Sequence, residues 1–66
     1  MLLQIDASKA IDMAREFLKQ SYTTIVLKNI VMEEKIWIVE YNVGFLQDNL
    51  KKVKIDANTG KIIGCI

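Results

Sequence analysis

The first regular pattern of apolar positions along the chain has the period of a helix. Between Asp6 and Gln20, apolar residues recur at spacings of three and four, as they do on one face of an α-helix. These residues are Ala7, Ala10, Ile11, Ala14, Phe17 and Leu18. Asp6 is the expected N-cap, with Ser8 as the alternative, because a short polar side chain accepts hydrogen bonds from the free amides of the first turn. The charged residues of the segment fall on the opposite side, which we interpret as a solvated face.

After Tyr22 the pattern changes to one that is typical of β-strands. The β-branched run Thr23–Met32 predicts a first strand, and Glu33–Lys35 predicts a polar hairpin tip. Ile36–Leu46 alternates clearly and predicts the second strand. The face of this strand that we expect to meet the helix carries Trp37, Val39, Tyr41, Val43 and Phe45.

Two further strands are predicted in the C-terminal third. A turn at Gln47–Asn49 precedes Leu50–Ala57, which alternates between outward polar residues and an inward set of Val53, Ile55 and Ala57. Asn58–Gly60 predicts a tight turn, because glycine readily adopts the left-handed conformation that short hairpin loops need. Lys61–Ile66 is expected to return as a short last strand.

This order of elements predicts a two-layer α+β domain spanning residues 1–66, with one N-terminal helix packed on a three- to four-stranded antiparallel meander sheet. The sheet face away from the helix is expected to be unusually apolar, and contiguous apolar patches commonly mark interfaces. Its expected members are Ile36, Ile38 and Leu46, joined by Val26, Ile30 and Met32. The register of the first strand stays open, because both of its faces carry apolar residues and a one-residue slip would exchange them.

Composition adds constraints on stability and on partners. The chain has 66 residues, 52% of them hydrophobic, with Cys65 as its one cysteine and no histidine. An internal disulfide and a zinc knuckle are therefore excluded, so a small core must fold on packing alone or be completed by a partner. A net charge of +1 and an isoelectric point near 7.8 argue against binding to nucleic acid or to a membrane surface.

The sequence also carries no export or membrane-spanning signal. Its longest apolar runs are far shorter than the roughly 20 residues of a membrane span, and the first residues lack a basic stretch followed by an apolar one. A cytoplasmic location is expected for the chain as written, whereas an extracytoplasmic one would apply if it were excised from a longer exported protein.

The C-terminal stretch Val53–Ile63 resembles the closing hairpin of PepSY domains, in which a strand ends in Asp-Ala, a short polar turn reaches glycine and a second strand begins. Two other features are similar to the same family, namely the alanine-bearing helix with Ala10 and Ala14 and the tryptophan-containing strand Trp37–Tyr41. PepSY domains occur in the propeptides of metallopeptidases and as membrane-anchored or exported modules. The resemblance implies a module that binds and regulates a peptidase and has no catalytic residue of its own.

The turn residues Asp56, Asn58 and Gly60 also have a structural interpretation, which we favour. Asp56 can accept hydrogen bonds from the turn amides, while Asn58 and Gly60 supply the backbone angles. A role of these residues in peptidase binding is the alternative.

Candidate chemistry is sparse. Glu33 and Glu34 are expected to be solvated at a hairpin tip. Cys65 is interpreted as a small core residue rather than a nucleophile, although an exposed Cys65 could form an intermolecular disulfide on oxidation. Trp37 and Tyr41 alternate with Val39 as core residues do, and no glycine opens a helix as a phosphate loop requires. No catalytic residue, metal site or cofactor is predicted.

The sequence therefore predicts a non-enzymatic protein-interaction module. Its contact surface is expected to be the sheet face containing Ile36, Ile38 and Leu46, or an edge strand, and its partner a peptidase or a second copy of the chain. A stand-alone homodimeric structural domain is the first alternative. A small-ligand-binding domain with a pocket between helix and sheet is the second.

Overall fold

In a computed structural model that describes residues 5–66, the chain folds as one helix followed by four antiparallel strands. The elements are α1 (Ala7–Leu18), β1 (Val26–Glu33), β2 (Ile36–Asn42), β3 (Leu50–Asp56) and β4 (Ile62–Cys65). The strands lie side by side in the order β1-β2-β3-β4, so the predicted α+β meander is confirmed. Residues 1–4 lie outside the described residues. The predicted domain of residues 1–66 and the N-terminal stretch considered as an export signal both include them.

Helix α1 begins at the predicted cap. The Asp6 carboxylate accepts a hydrogen bond from the backbone amide of Lys9 at 2.9 Å, and the backbone of Asp6 is extended. Asp6, and not Ser8, therefore satisfies a free amide of the first turn. The helix ends at Leu18, and Lys19 is its C-cap, whose amide donates to the carbonyl of Arg15 at 2.9 Å.

The core lies between one face of α1 and the inner face of the sheet, which is the face turned towards the helix. Ala10 and Ala14 have no exposed surface, and Leu18 is 2% exposed. The small alanine side chains allow the helix backbone to approach β2 and β3 closely. Among the predicted inward residues of the two central strands, the fully buried ones are Val39, Tyr41, Val53, Ile55 and Ala57. Val43 is 6% exposed and Trp37 is half-buried, and of the predicted set only Phe45 lies outside the core.

Two aromatic side chains of β2 tie the sheet to the helical layer by hydrogen bonds. The Tyr41 hydroxyl donates to the carbonyl of Ile11 at 2.8 Å, and the Trp37 indole N–H donates to the carbonyl of Ile5 at 3.3 Å. Both groups keep a polar partner in a part-buried position, so their burial leaves no donor unpaired. The prediction that Trp37 and Tyr41 belong to the core face is confirmed.

The register of β1 corrects part of the predicted outer face. Ile30 lies opposite Val39 and Met32 lies opposite Trp37, so both belong to the inner face and their predicted outward placement is wrong. Val31, opposite Ile38, takes the outer position instead. A β-bulge between Leu27 and Asn29 shifts the alternation, and a bulge of this kind cannot be seen in the period of the sequence.

The ends of β1 also differ from the prediction. The strand begins at Val26 rather than Thr23, and it continues through Glu33. The hairpin loop is thus the two residues Glu34 and Lys35, whose φ angles of 50° and 65° are those of a type I′ turn. This turn matches the right-handed twist of the flanking strands, which offsets the steric cost of positive φ in non-glycine residues.

Strand β2 is shorter than predicted. It ends at Asn42 rather than Leu46, because the side-chain oxygen of Asn42 accepts hydrogen bonds from the amides of Gly44 and Asn49 and the chain turns away from the sheet. Phe45, which was expected in the core, is 85% exposed.

Cys65 is exposed, so its interpretation as a small core residue is wrong. It lies opposite Val53 and so belongs to the inner side of the sheet, but α1 packs on β2 and β3. A helix is about 10 Å wide, whereas four strands spaced by about 4.8 Å are nearly twice as wide. One helix therefore leaves Cys65 uncovered on the inner side of β4, although Ile62 of the same strand packs against the core.

We expect Tyr41→Phe to lower the free energy of unfolding by about 1 kcal/mol, because it removes the hydrogen bond to Ile11 but keeps the buried ring. Burial raises the pKa of Tyr41 above its usual 10.0, against a smaller opposing effect of Arg15. A raised pKa in the folded state means that the hydroxyl stabilises the fold below pH 10 and that this stabilisation is lost as the pH rises through the folded pKa.

Urea unfolding of wild type and variant at neutral pH and above pH 10 measures both effects. The difference in unfolding free energy between wild type and Tyr41→Phe should be largest near neutral pH and should become smaller at alkaline pH. Tyr22→Phe is the control, since Tyr22 is a half-buried tyrosine whose hydroxyl has no hydrogen-bond partner among the described residues. If Tyr41→Phe and Tyr22→Phe lowered the unfolding free energy equally, the assigned role of the Tyr41 hydroxyl would be contradicted.

Candidate functional site

No other element of residues 5–66 covers the face of the sheet that points away from α1, and we call it the open face. Strand register places its side chains in rows. The central row runs from Val31 to Ile38, Lys54 and Gly64 across the four strands. Ile36 lies one row towards the β1–β2 hairpin, opposite Asp56. Both sheet residues predicted to form the interaction surface, Ile36 and Ile38, thus lie on this face, and each is half-buried by its neighbours.

Exposed apolar surface on the open face extends from the Asn42 end of the strands to the central row. Val26 is 53% exposed and Leu50 is 50% exposed, and they flank Asn42 in one end row. Val31 is 40% exposed, and Ile66, which exchanges both backbone hydrogen bonds with Lys52, is 67% exposed. Solvent-accessible apolar residues therefore occupy three adjacent rows of the face, which is typical of a surface that can be covered by a partner.

Charged residues on the open face are largely separated by strand, with the exception of Asp56 at the end of β3. Glu33 and Glu40 lie on β1 and β2, whereas Lys52 and Lys54 lie on β3. Glu40 and Lys52 are direct cross-strand partners. A groove of about 240 Å³ runs between these charges, with an apolar lining of Val31, Ile38 and Ile66. The face consequently has an acidic side and a basic side.

Leu46, the third predicted interaction residue, is not on the open face. It lies in the loop of residues 43–49 between β2 and β3, at the opposite end of β2 from Ile36. Leu46 is 89% exposed and its neighbour Phe45 is 85% exposed. Large apolar side chains with so little cover are unusual in pairs, so the tip of this loop is a second candidate contact surface.

The loop of residues 43–49 is held by a hydrogen-bond network centred on Asn42. Besides accepting from Gly44 at 2.9 Å and Asn49 at 3.0 Å, the Asn42 side chain donates to the Asp48 carboxylate at 3.0 Å. The amide of Val43 also donates to the carbonyl of Asn49 at 2.9 Å. These bonds fix the base of the loop and leave its apolar tip in solvent.

The turn after β3 shows how Asp56, Asn58 and Gly60 act on the backbone. One carboxylate oxygen of Asp56 accepts from the amides of Asn58 at 2.8 Å and Thr59 at 3.1 Å, and the Gly60 amide donates to the Asp56 carbonyl at 2.8 Å. Gly60 has a φ of 75°, in the region that favours glycine. These contacts are those of an Asx turn and agree with a structural role for Asp56 and Gly60. Asn58 contributes its backbone amide but has no positive φ, so a special backbone angle at this residue is not seen.

A second groove, of about 610 Å³, lies along the flank of α1. Its apolar lining consists of Met13, Phe17 and Ile62, and the polar residues around it are all exposed. Ligand sites usually hold a few buried, well-positioned polar groups that orient the ligand, and this groove has none among the described residues. The groove therefore gives no support to the ligand-binding interpretation.

Groups that could carry chemistry are dispersed. Glu33 and Glu34 are exposed at the β1–β2 hairpin, as predicted. Within residues 5–66, no three histidine, cysteine, aspartate or glutamate side chains come together as a metal site requires. No helix in this range is long and apolar enough to cross a membrane.

Sequence reasoning missed Phe45 and Val31 as surface residues. The signal for Phe45 was Gly44, since a glycine inside an alternating run often marks the end of a strand or a bend. No comparable signal existed for Val31, because its neighbours Ile30 and Met32 are equally apolar.

Comparison with known proteins agrees with the resemblance noted in the sequence. Residues 4–65 match the protein-family model described as PepSY, "Peptidase propeptide and YPEB domain". The match covers nearly the whole chain, including α1 and all four strands. No curated protein and no solved structure was matched.

We expect Gly44→Ala to destabilise the loop of residues 43–49, because an added Cβ would overlap the backbone carbonyl of Gln47. A shift of the loop backbone should cost about 1–3 kcal/mol of unfolding free energy. It should also speed hydrogen exchange at the Asn49 amide, which is bonded to Asn42.

Gly64→Ala is the matched control, since nothing lies within 4 Å of a Cβ added there. Its unfolding free energy should stay within about 0.5 kcal/mol of wild type. If both variants are equally stable and exchange at Asn49 is unchanged, the loop is not held in the described conformation.

Proposed function

Because this chain belongs to the PepSY family of peptidase propeptide and YPEB domains, we propose that it is a non-enzymatic module that binds a peptidase and regulates its activity. The observation that carries the proposal is the family match over residues 4–65. The scarcity of candidate chemistry in the sequence agrees with a role in binding.

The loop of residues 43–49 is the element we propose for contact with the peptidase. Peptidase clefts are concave sites that receive side chains, and Phe45 and Leu46 project from a hydrogen-bonded base. A loop already fixed in shape loses little conformational entropy on binding, so more of the burial energy of its two apolar side chains appears as affinity. The loop contains Leu46, one of the predicted interaction residues.

The two sheet edges are less suited to this role. The pairing of β1 with β2 has an irregularity between Leu27 and Asn29. The pairing of β4 with β3 has another, opposite Lys54 and Ile55. Bulges at edges hinder the addition of a further strand. Strand addition, which the sequence left open as a mode of binding, is therefore not the mode we propose.

Self-association through the open face is the second function that we propose. It is favoured by the apolar lining of Val31, Ile38 and Ile66 between an acidic and a basic side. A surface of this composition can bind a copy of itself, because each charged side finds its opposite on the partner.

Capture from native extract tests the proposed peptidase binding. The immobilised chain should retain a peptidase, and the free chain should slow hydrolysis of a fluorogenic peptide by that enzyme. The double substitution Phe45→Ser and Leu46→Ser should weaken inhibition at least tenfold, since burial of each side chain is worth about 1.5–3 kcal/mol. Ile63→Ser, which removes an apolar residue 52% exposed on β4, is the control and should inhibit like wild type.

The two ways in which this experiment can fail have different meanings. Absence of any peptidase among the retained proteins would contradict the proposed function. Equal inhibition by wild type and the loop variant would leave the function standing and exclude the loop as the contact.

A further inference from the structure

The distribution of charge on the open face has an approximate two-fold complementarity. Its acidic residues Glu33 and Glu40 lie on β1 and β2, and its basic residues Lys52 and Lys54 lie on β3. Asp56, a further carboxylate on this face, lies at the end of β3, and one of its oxygens accepts hydrogen bonds from the amides of the following turn. Among the residues of β1 and β2, the one base is Lys28, which lies in the β-bulge.

We propose that a second copy of this chain covers the open face, with a two-fold axis that runs parallel to the strands between β2 and β3. This inference rests on the self-association proposed for the same face. The rotation places β2 of each copy over β3 of the other and preserves position along the strands. Because Glu40 and Lys52 share one row, each Glu40 then faces Lys52 of the second copy. The two sheets form an aligned β-sandwich.

The neighbouring row fits the same arrangement. Val31 comes to lie over Gly64 of the second copy, where nothing occupies the space within 4 Å of an added Cβ. Ile38 comes to lie against the aliphatic part of Lys54, whose ammonium can extend to solvent. An axis perpendicular to the strands would instead place β2 over β2 and bring acidic residues together. The charges thus select the parallel axis.

The expected affinity is low. Strand spacing and rise give a four-stranded face of this size roughly 400 Å² per copy, so the pair buries less than the roughly 1,200 Å² of a standard stable interface. We therefore expect a dissociation constant between about 10 µM and 1 mM. Association should weaken as ionic strength rises from about 0.05 M to 0.5 M, because the facing charges are partly solvent-accessible.

Charge reversal with mixing tests the arrangement by sedimentation equilibrium up to about 1 mM protein. Glu40→Lys and Lys52→Glu should each weaken self-association at least tenfold, since like charges then face each other. An equimolar mixture of the two variants should associate at least as tightly as wild type, because the two basic positions of one variant face the two acidic positions of the other. Circular dichroism melts of each variant establish that it is folded.

Ile38→Lys separates failure of this geometry from failure of self-association itself. It should abolish association while keeping the fold, because it places a lysine against Lys54 of the second copy. Suppose that wild type associates and Ile38→Lys does not, but the mixture of Glu40→Lys and Lys52→Glu associates no more tightly than either variant alone. The proposed axis is then wrong, and self-association through the open face stands. If wild type is monomeric at about 1 mM, both the proposed axis and self-association through the open face are overturned.

Discussion

The structure depends on the contact between one short helix and the two central strands of a wider sheet. Ala10 and Ala14 bring α1 close to β2 and β3, and the hydroxyl of Tyr41 binds a carbonyl of the helix itself. In a chain of 66 residues with one cysteine and no histidine, this contact has to supply most of the packing that other small domains obtain from disulfides or metals. The strand order and the turns serve to place β2 and β3 side by side beneath the helix.

The same contact determines what remains exposed. Because α1 covers two of the four strands, Cys65 on β4 stays in solvent and a groove forms between the helix and Ile62. Because all helical residues of the described chain lie on one side, the open face keeps Val31, Ile38 and Ile66 accessible to a partner. Most of the large apolar residues that the small core does not bury are therefore found on the open face and at the loop tip. These are the two surfaces for which we propose binding.

Sequence reasoning predicted the parts of the fold that have a strong period. The helical spacing located α1, and strict alternation located the buried residues of β2 and β3, because burial on one face leaves a periodic pattern. It could not fix the register of β1, where Ile30, Val31 and Met32 are all apolar and a bulge interrupts the alternation. It also extended β2 too far. The alternation continues through Phe45, but the side chain of Asn42 binds the amides of Gly44 and Asn49 and ends the strand.

The central claim is that the sheet has one face whose centre is covered by α1 and one face open to a second copy. Relaxation of isoleucine methyl groups by a soluble paramagnetic chelate, measured at about 50 µM and about 1 mM protein, tests both halves of the claim. Ile55, which is fully buried, should be protected at both concentrations, whereas Ile38 should be accessible in dilute solution and protected in concentrated solution. Ile63, outside the open-face contact, should remain accessible throughout. Equal accessibility of Ile38 at the two concentrations, or an accessible Ile55, would contradict the account.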